Sequence, residues 1–308
     1  MHARIAPRDL ALILVIVTLW GFAFVPIKWV LAEIPPFMLA ALRFLFAAVP
    51  AMFLVARPAM PWRSVVAYGI AIGVLQYGLM FLGLHLGMPA GLASLVMQLQ
   101  VFFTIALTVA FAGDRLHRWN VAGAVVAFAG IGLLAAFKLE AGATVPLAGF
   151  VALIGGAFAW GVGNLIAKRS ANADMFSLVV WSSVVPVPFL VLVSFALEGG
   201  TAPFQALARA SPSSWGWILY LSWGATLFGF SVWNRLLHRY PAPLVSPFAL
   251  LIPVAGLASG AVFLRETLAP LQALGVALVF AGLAVNVLGA RMQAGWALLM
   301  RAGPTRGR

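Results

Sequence analysis

The side chains able to do chemistry in this chain are few, and most of them interrupt long apolar runs. Arg43 stands within the second run, and Gln76 and Tyr77 lie near the middle of the third. In the fourth, Ser94 and Gln98 share one helical face at i, i+4, while Gln100 and Thr104 share another. Trp160 and Asn164 repeat that spacing in the sixth run; Phe230, Trp233 and Asn234 follow in the eighth, and Ser246 and Phe248 flank Pro247 in the ninth. These residue types hold a ligand; they do not remake its bonds. Amides and hydroxyls donate and accept, aromatic rings supply apolar area, and a guanidinium suits a carboxylate. The expected substrate-binding residues are Trp20, Gln76, Tyr77, Gln98, Gln100, Trp160, Asn164, Phe230, Trp233, Asn234, Ser246 and Phe248, with Arg43 as a possible carboxylate anchor.

Each has a plainer alternative. A single Gln, Asn or Ser in a membrane helix serves equally as a hydrogen bond between helices, and Arg43 can snorkel or bond a neighbour's carbonyls. The two faces of the fourth run cannot both line one cavity, so one of the pairs is expected to bond a neighbouring helix, and Gln98 is slightly favoured as the cavity member. Pro247 and Pro253 leave carbonyls unbonded within one helix and are the expected hinge. No HExxH, GxSxG or P-loop is present, and no carboxylate falls near the middle of a run. Enzyme chemistry, a metal site, a cofactor and a buried carboxylate relay are therefore not expected.

The elements that must position these residues follow from composition. The chain has 308 residues, 64% hydrophobic and 8% charged, with a mean hydropathy of +1.06. Soluble domains carry roughly 25% charged residues, so this is an integral membrane protein. A net charge of +12 could suggest nucleic acid, but the basic residues are scattered between apolar runs and cluster on no face. The chain has no cysteine, hence no disulfide or thiolate site.

Ten segments are long enough to span the bilayer: 10–31, 36–56, 65–87, 90–112, 119–137, 147–168, 175–197, 214–238, 243–264 and 270–290. With the N-terminus in the cytoplasm, fourteen of the 19 basic residues fall on the cytoplasmic side, which fixes the orientation and returns the C-terminus to the same side. The expected location is the bacterial inner membrane, the expected partners are lipid and a small-molecule substrate, and a monomer is expected.

The chain is also written twice. Pro89 to Leu133 returns 152 residues later as Pro241 to Val285, with Ser94 answered by Ser246, Asp114 by Glu266, and Phe128-Ala129-Gly130 by Phe280-Ala281-Gly282. Upstream, Trp20-Gly21 and Lys28 return as Trp160-Gly161 and Lys168 at an offset of 140. About twelve extra residues therefore enter the second copy, and 198–213 is their expected place. The units are 1–142 and 143–290, followed by a basic tail at 291–308 expected to be disordered or to lie on lipid. Five helices per unit is an odd number, so the second copy should be inverted. The fold class expected is all-α integral membrane, two inverted five-helix repeats around a central cavity, as in secondary transporters that work by alternating access.

The Trp-Gly pairs, Pro36 through Arg43-Phe44, Glu266-Thr267-Leu268, Gly275 and Phe280-Ala281-Gly282 together resemble the EamA family of the drug/metabolite transporter superfamily, over nearly the whole chain. Within it the chain looks most similar to aromatic amino-acid exporters of the YddG type. One departure is Arg265, where family members often carry glycine before the acidic residue. The resemblance implies export of neutral or aromatic amino acids and related small hydrophobic metabolites. The alternatives are a sugar-phosphate or nucleotide-sugar exchanger, which would want paired basic residues deep in the cavity, and, outside carriers, a channel or membrane enzyme.

Overall fold

A computed structural model describes residues 5–49, 51–88, 90–140, 146–170, 173–263 and 270–301. Among them every regular element is helical. Seven helices are long and apolar enough to cross a membrane: Pro7–Val30, Pro36–Leu54, Trp62–His85, Ala93–Ala112, Leu147–Arg169, Met175–Leu197 and Ala242–Phe263. Helices Arg118–Glu140 and Pro270–Arg301 carry shorter apolar stretches, and 212–239 is helical throughout. Counted in chain order these are the first to tenth helices, and each overlaps one of the ten segments expected. The tenth runs on to Arg301, so the first part of the basic tail is helix rather than coil. Within 198–213, Ala202–Arg209 forms a short helix of its own. Glu266 and its neighbours lie outside the described residues.

Irregularities recur in matching helices of the two copies. The third and eighth each contain a π-helical stretch, Ile70–Tyr77 and Tyr220–Phe228. The fourth and ninth each tighten to a 3-10 turn, Met97–Leu99 and Ser246–Leu250. Pro247 belongs to the latter, where its missing N–H costs no α-helical bond, and Pro253 opens the regular helix that follows.

Glycine brings the copies into contact. A Cβ on Gly21 would meet Ala255 and the backbone of Gly256, while one on Gly161 would meet Phe103 and Thr104. These are the same positions exchanged between copies, at offsets of 140 and 152. Likewise Gly123 lies against the Gly282 carbonyl and Gly130 against that of Gly275, each glycine facing the other's repeat-mate. Such reciprocity is the signature of a two-fold contact. As 123 advances to 130 the partner recedes from 282 to 275, so the fifth and tenth helices are antiparallel. Beside them Asn120 donates to Asn286 Oδ1 at 3.4 Å, and both amides donate to the Pro243 carbonyl.

Carboxylates fasten the loops at one end. Glu198 accepts from the first free N–H groups of the second helix, Phe37 at 2.6 Å and Met38 at 3.2 Å. Glu33 accepts from the Ser211 N–H and hydroxyl, which hold its carboxyl below the usual range.

Gly123→Leu should drive a side chain into the Gly282 carbonyl and lower stability by about 1–3 kcal/mol. Gly132→Leu, where nothing lies within 4 Å, should not. Thermal unfolding of the two variants in detergent compares them directly.

Candidate functional site

A cavity of about 460 Å³ lies between the copies. Its wall takes Trp20, Phe24, Ile27 and Lys28 from the first helix, Arg43 from the second, and Gln76, Tyr77, Met80 and Phe81 from the third. Ser94, Met97 and Gln98 come from the fourth, Trp160 from the sixth, Phe230 from the eighth, and Ile252, Pro253, Gly256 and Gly260 from the ninth. The small residues of the ninth helix leave the space; the aromatic and thioether side chains make it apolar.

Its floor is a group of rings. Trp20 meets Phe230 at 5.1 Å, Trp233 at 5.4 Å and Trp160 at 5.7 Å between centroids, in tilted or edge contacts. The Trp20 indole donates to the Ala225 carbonyl at 2.8 Å, within the π-helical stretch, which fixes the ring. Arg43 is 5% exposed; its Nε donates to Thr226 Oγ1 and its guanidinium lies 4.6 Å from the centre of the Tyr77 ring. Thr226 in turn donates to the Leu221 carbonyl five residues back, a bond the π-helical winding permits. Three buried polar atoms of wall residues find no partner: Gln76 Oε1, Gln98 Oε1 and Trp160 Nε1. Two acceptors and a donor thus stand on the same wall as a guanidinium. Native proteins seldom leave such groups unpaired without a ligand or water to meet them.

The residues singled out in the sequence separate by depth. Trp20, Arg43, Gln76, Tyr77, Gln98, Trp160 and Phe230 line the cavity, and so does Ser94. Gln100, Asn164, Trp233, Asn234, Ser246 and Phe248 are buried but do not. Asn164 donates to Thr104 Oγ1 at 2.8 Å and to Gln100 Oε1 at 3.4 Å, so the second face of the fourth helix bonds the sixth. Asn234 donates to the Tyr68 hydroxyl at 2.7 Å. Of the two hinge prolines, Pro253 reaches the wall and Pro247 does not.

Sequence reasoning overlooked the far end. There the Lys168 ammonium meets Asp114 at 3.3 Å and donates to the Leu237 and Tyr240 carbonyls at 2.9 Å each. Asp114 also accepts from the Ala242 N–H at 2.8 Å. The Tyr240 hydroxyl donates to Asp9 at 2.6 Å and accepts from the Ala6 N–H, and Arg239 pairs with Asp9 at 3.1 Å. The ends of the first, fourth, sixth, eighth and ninth helices are thereby tied together. The repeat pairing of Lys168 with Lys28 and of Asp114 with Glu266 was a clue, but no spacing links residues so far apart.

A multi-pass bundle with a ligand-sized, partly polar cavity between two packed copies, tied shut at one end, is a membrane transporter by class. The chain belongs to the EamA-like transporter family, which it matches over residues 9–136 and 147–288. It is 41% identical to probable amino-acid metabolite efflux pumps of Salmonella typhimurium, over 93% of this chain and 97% of that one, and of Escherichia coli, over 92% and 96%. A probable terminal-alkyne amino-acid exporter of Streptantibioticus cattleyicolor is 27% identical over 73% of this chain and 74% of its own. A solved crystal structure aligns with a TM-score of 0.78 at 23% identity, over 94% of this chain and 99% of that one, a likeness of fold.

Lys168→Met should leave the Asp114 carboxylate and two carbonyls without their cation, lowering stability on the order of 3 kcal/mol. Arg169→Met, at its exposed neighbour, should have little effect. Unfolding midpoints of the two proteins in lipid nanodiscs make the comparison.

Proposed function

We propose that this protein is a secondary carrier that exports neutral and aromatic amino acids by alternating access of two inverted five-helix repeats. The reciprocal glycine contacts and the antiparallel fifth and tenth helices support a two-fold axis in the membrane plane, the relation that lets two copies exchange conformations around one central site. With both termini cytoplasmic, the tied end faces the cytoplasm and the cavity faces outward.

The observation that carries the reading is the composition of the cavity wall. Arg43 and the Trp160 N–H suit a carboxylate, Gln76 Oε1 and Gln98 Oε1 suit an ammonium, and Trp20, Phe81 and Phe230 suit an apolar side chain. A volume of about 460 Å³ is within the range of small-molecule pockets. The 41% identical relatives, probable amino-acid metabolite efflux pumps, support the same reading. One feature favours a second reading: Lys28 lines the same cavity as Arg43, and two basic groups would suit a phosphorylated sugar.

Counterflow of labelled amino acids and sugar phosphates into proteoliposomes, with and without a pH gradient, separates these. Saturable exchange of phenylalanine or tryptophan is expected, with Arg43→Ala weakening apparent affinity about ten- to a hundredfold through loss of a charged hydrogen bond. Exchange of sugar phosphate alone favours the second reading, and flux that does not saturate marks a channel.

A further inference from the structure

Between the aromatic floor and the tied end lies a layer of buried polar groups that the cavity does not use. Gln100, Thr104, Asn234 and Ser246 are 0% exposed, Asn164 is 1% and Ser231 is 3%. Five of these six residues carry a polar atom with no partner: Gln100 Nε2, Asn164 Oδ1, Ser231 Oγ, Asn234 Oδ1 and Ser246 Oγ. Simple packing glue would be satisfied here, because its whole purpose is to be bonded in the packed state.

Each helix through this layer has the same order of residues along its length. On the sixth it is Trp160 in the wall, Asn164 in the layer and Lys168 at the tie; on the eighth it is Phe230, Asn234 and Leu237. On the fourth, Gln98 gives way to Gln100 and Thr104 and then to Asp114. Along the ninth in reverse, Ile252 gives way to Ser246 and then to Ala242. At 1.5 Å per residue the layer lies about 6 Å beyond the wall on the sixth and eighth helices and about 9 Å beyond it on the ninth, and the tie lies about 6 Å further on the sixth but about 15 Å beyond Thr104 on the fourth.

The duplication says what this layer corresponds to. Asn164, Gln100 and Thr104 are the repeat-mates of Phe24, Ile252 and Gly256, and all three of those line the open cavity. Ser246 is likewise the mate of Ser94, another wall residue. The layer therefore occupies, at the tied end, the positions that form a wall at the open end.

We infer that Gln100, Thr104 and Asn164 form a second, cytoplasm-facing subsite for the polar end of the substrate, exposed when the Lys168 tie opens. This rests on the carrier reading above. Asn164 Nδ2 already bonds Gln100 and Thr104, which leaves one acceptor, Asn164 Oδ1, and one donor, Gln100 Nε2, for the ammonium and carboxylate of an amino acid. The outward counterparts, Phe24, Ile252 and Gly256, offer no polar side chain. The carrier thus holds its cargo more tightly on the cytoplasmic face than at the same depth on the outer face, loading at low internal concentration and releasing readily outside. Asymmetric affinity alone drives no net flux; unequal populations of the two empty states balance it.

The test replaces each layer residue by the one its mate carries. In proteoliposomes of known orientation, Asn164→Phe and Gln100→Ile should raise the half-saturating amino-acid concentration on the cytoplasmic face about tenfold, as loss of one hydrogen bond implies. The value on the outer face should hold, which also shows that the variants fold. Because the chain has no cysteine, Thr104→Cys adds an independent measure: an impermeant thiol reagent should label it from the cytoplasmic face, faster during turnover. Equal shifts on both faces, no shift on either, or a cysteine that never reacts would overturn the subsite. A wild-type protein that moves no amino acid would instead overturn the carrier reading.

Discussion

The constraint on which the structure depends is that backbones from the two copies must touch. Gly21 against Gly256 and Gly123 against Gly282 are positions where any Cβ would collide with a neighbouring main chain, and at Gly161 it would collide with the Phe103 Cβ and crowd the Thr104 backbone. Lipid tails are as apolar as leucine, so burying leucines gives helices in a bilayer little reason to associate; close packing through small residues and bonds between polar ones must do it. The contacts lie along three seams, first helix to ninth, sixth to fourth and fifth to tenth. Where a seam is tight the path is shut. On the ninth helix Gly256 touches Gly21 through its backbone while its side-chain-free Cα, with Gly260 one turn on, borders the cavity.

Much of this organisation was legible in the chain. The Trp-Gly pairs and the Phe-Ala-Gly triplets marked segments that pack reciprocally, and apolar runs between prolines located the helices. The two faces of the fourth helix divided as i, i+4 spacing requires: Ser94 and Gln98 toward the cavity, Gln100 and Thr104 toward the sixth helix. Depth was not legible. Asn164 is one turn from Trp160 and shares its face, yet only the tryptophan reaches the cavity, because spacing gives direction around a helix and not the place where a cavity ends. Nor were the ties between Lys168, Asp114 and Tyr240, which join residues by tertiary packing alone. The π-helical stretches left no composition signal either, although Arg43 depends on one through Thr226.

The polar residues thus sort by the state in which they are satisfied. Lys168, Asp114, Asp9 and Tyr240 are bonded as the protein stands, and these bonds hold one end shut. Gln76 and Gln98 keep unpaired acceptors on an open wall. The proposed carrier would need both kinds, since every group buried in one state and wet in the other biases the balance between them.

The ring cluster at the cavity floor has a consequence for the cell's energy supply. Hydronium crosses membranes by hopping along unbroken files of water and hydrogen-bonded groups, and the packed indoles and phenyl of Trp20, Trp160, Trp233 and Phe230 provide no such file. A carrier built this way would not drain the electrochemical gradient on which other processes live.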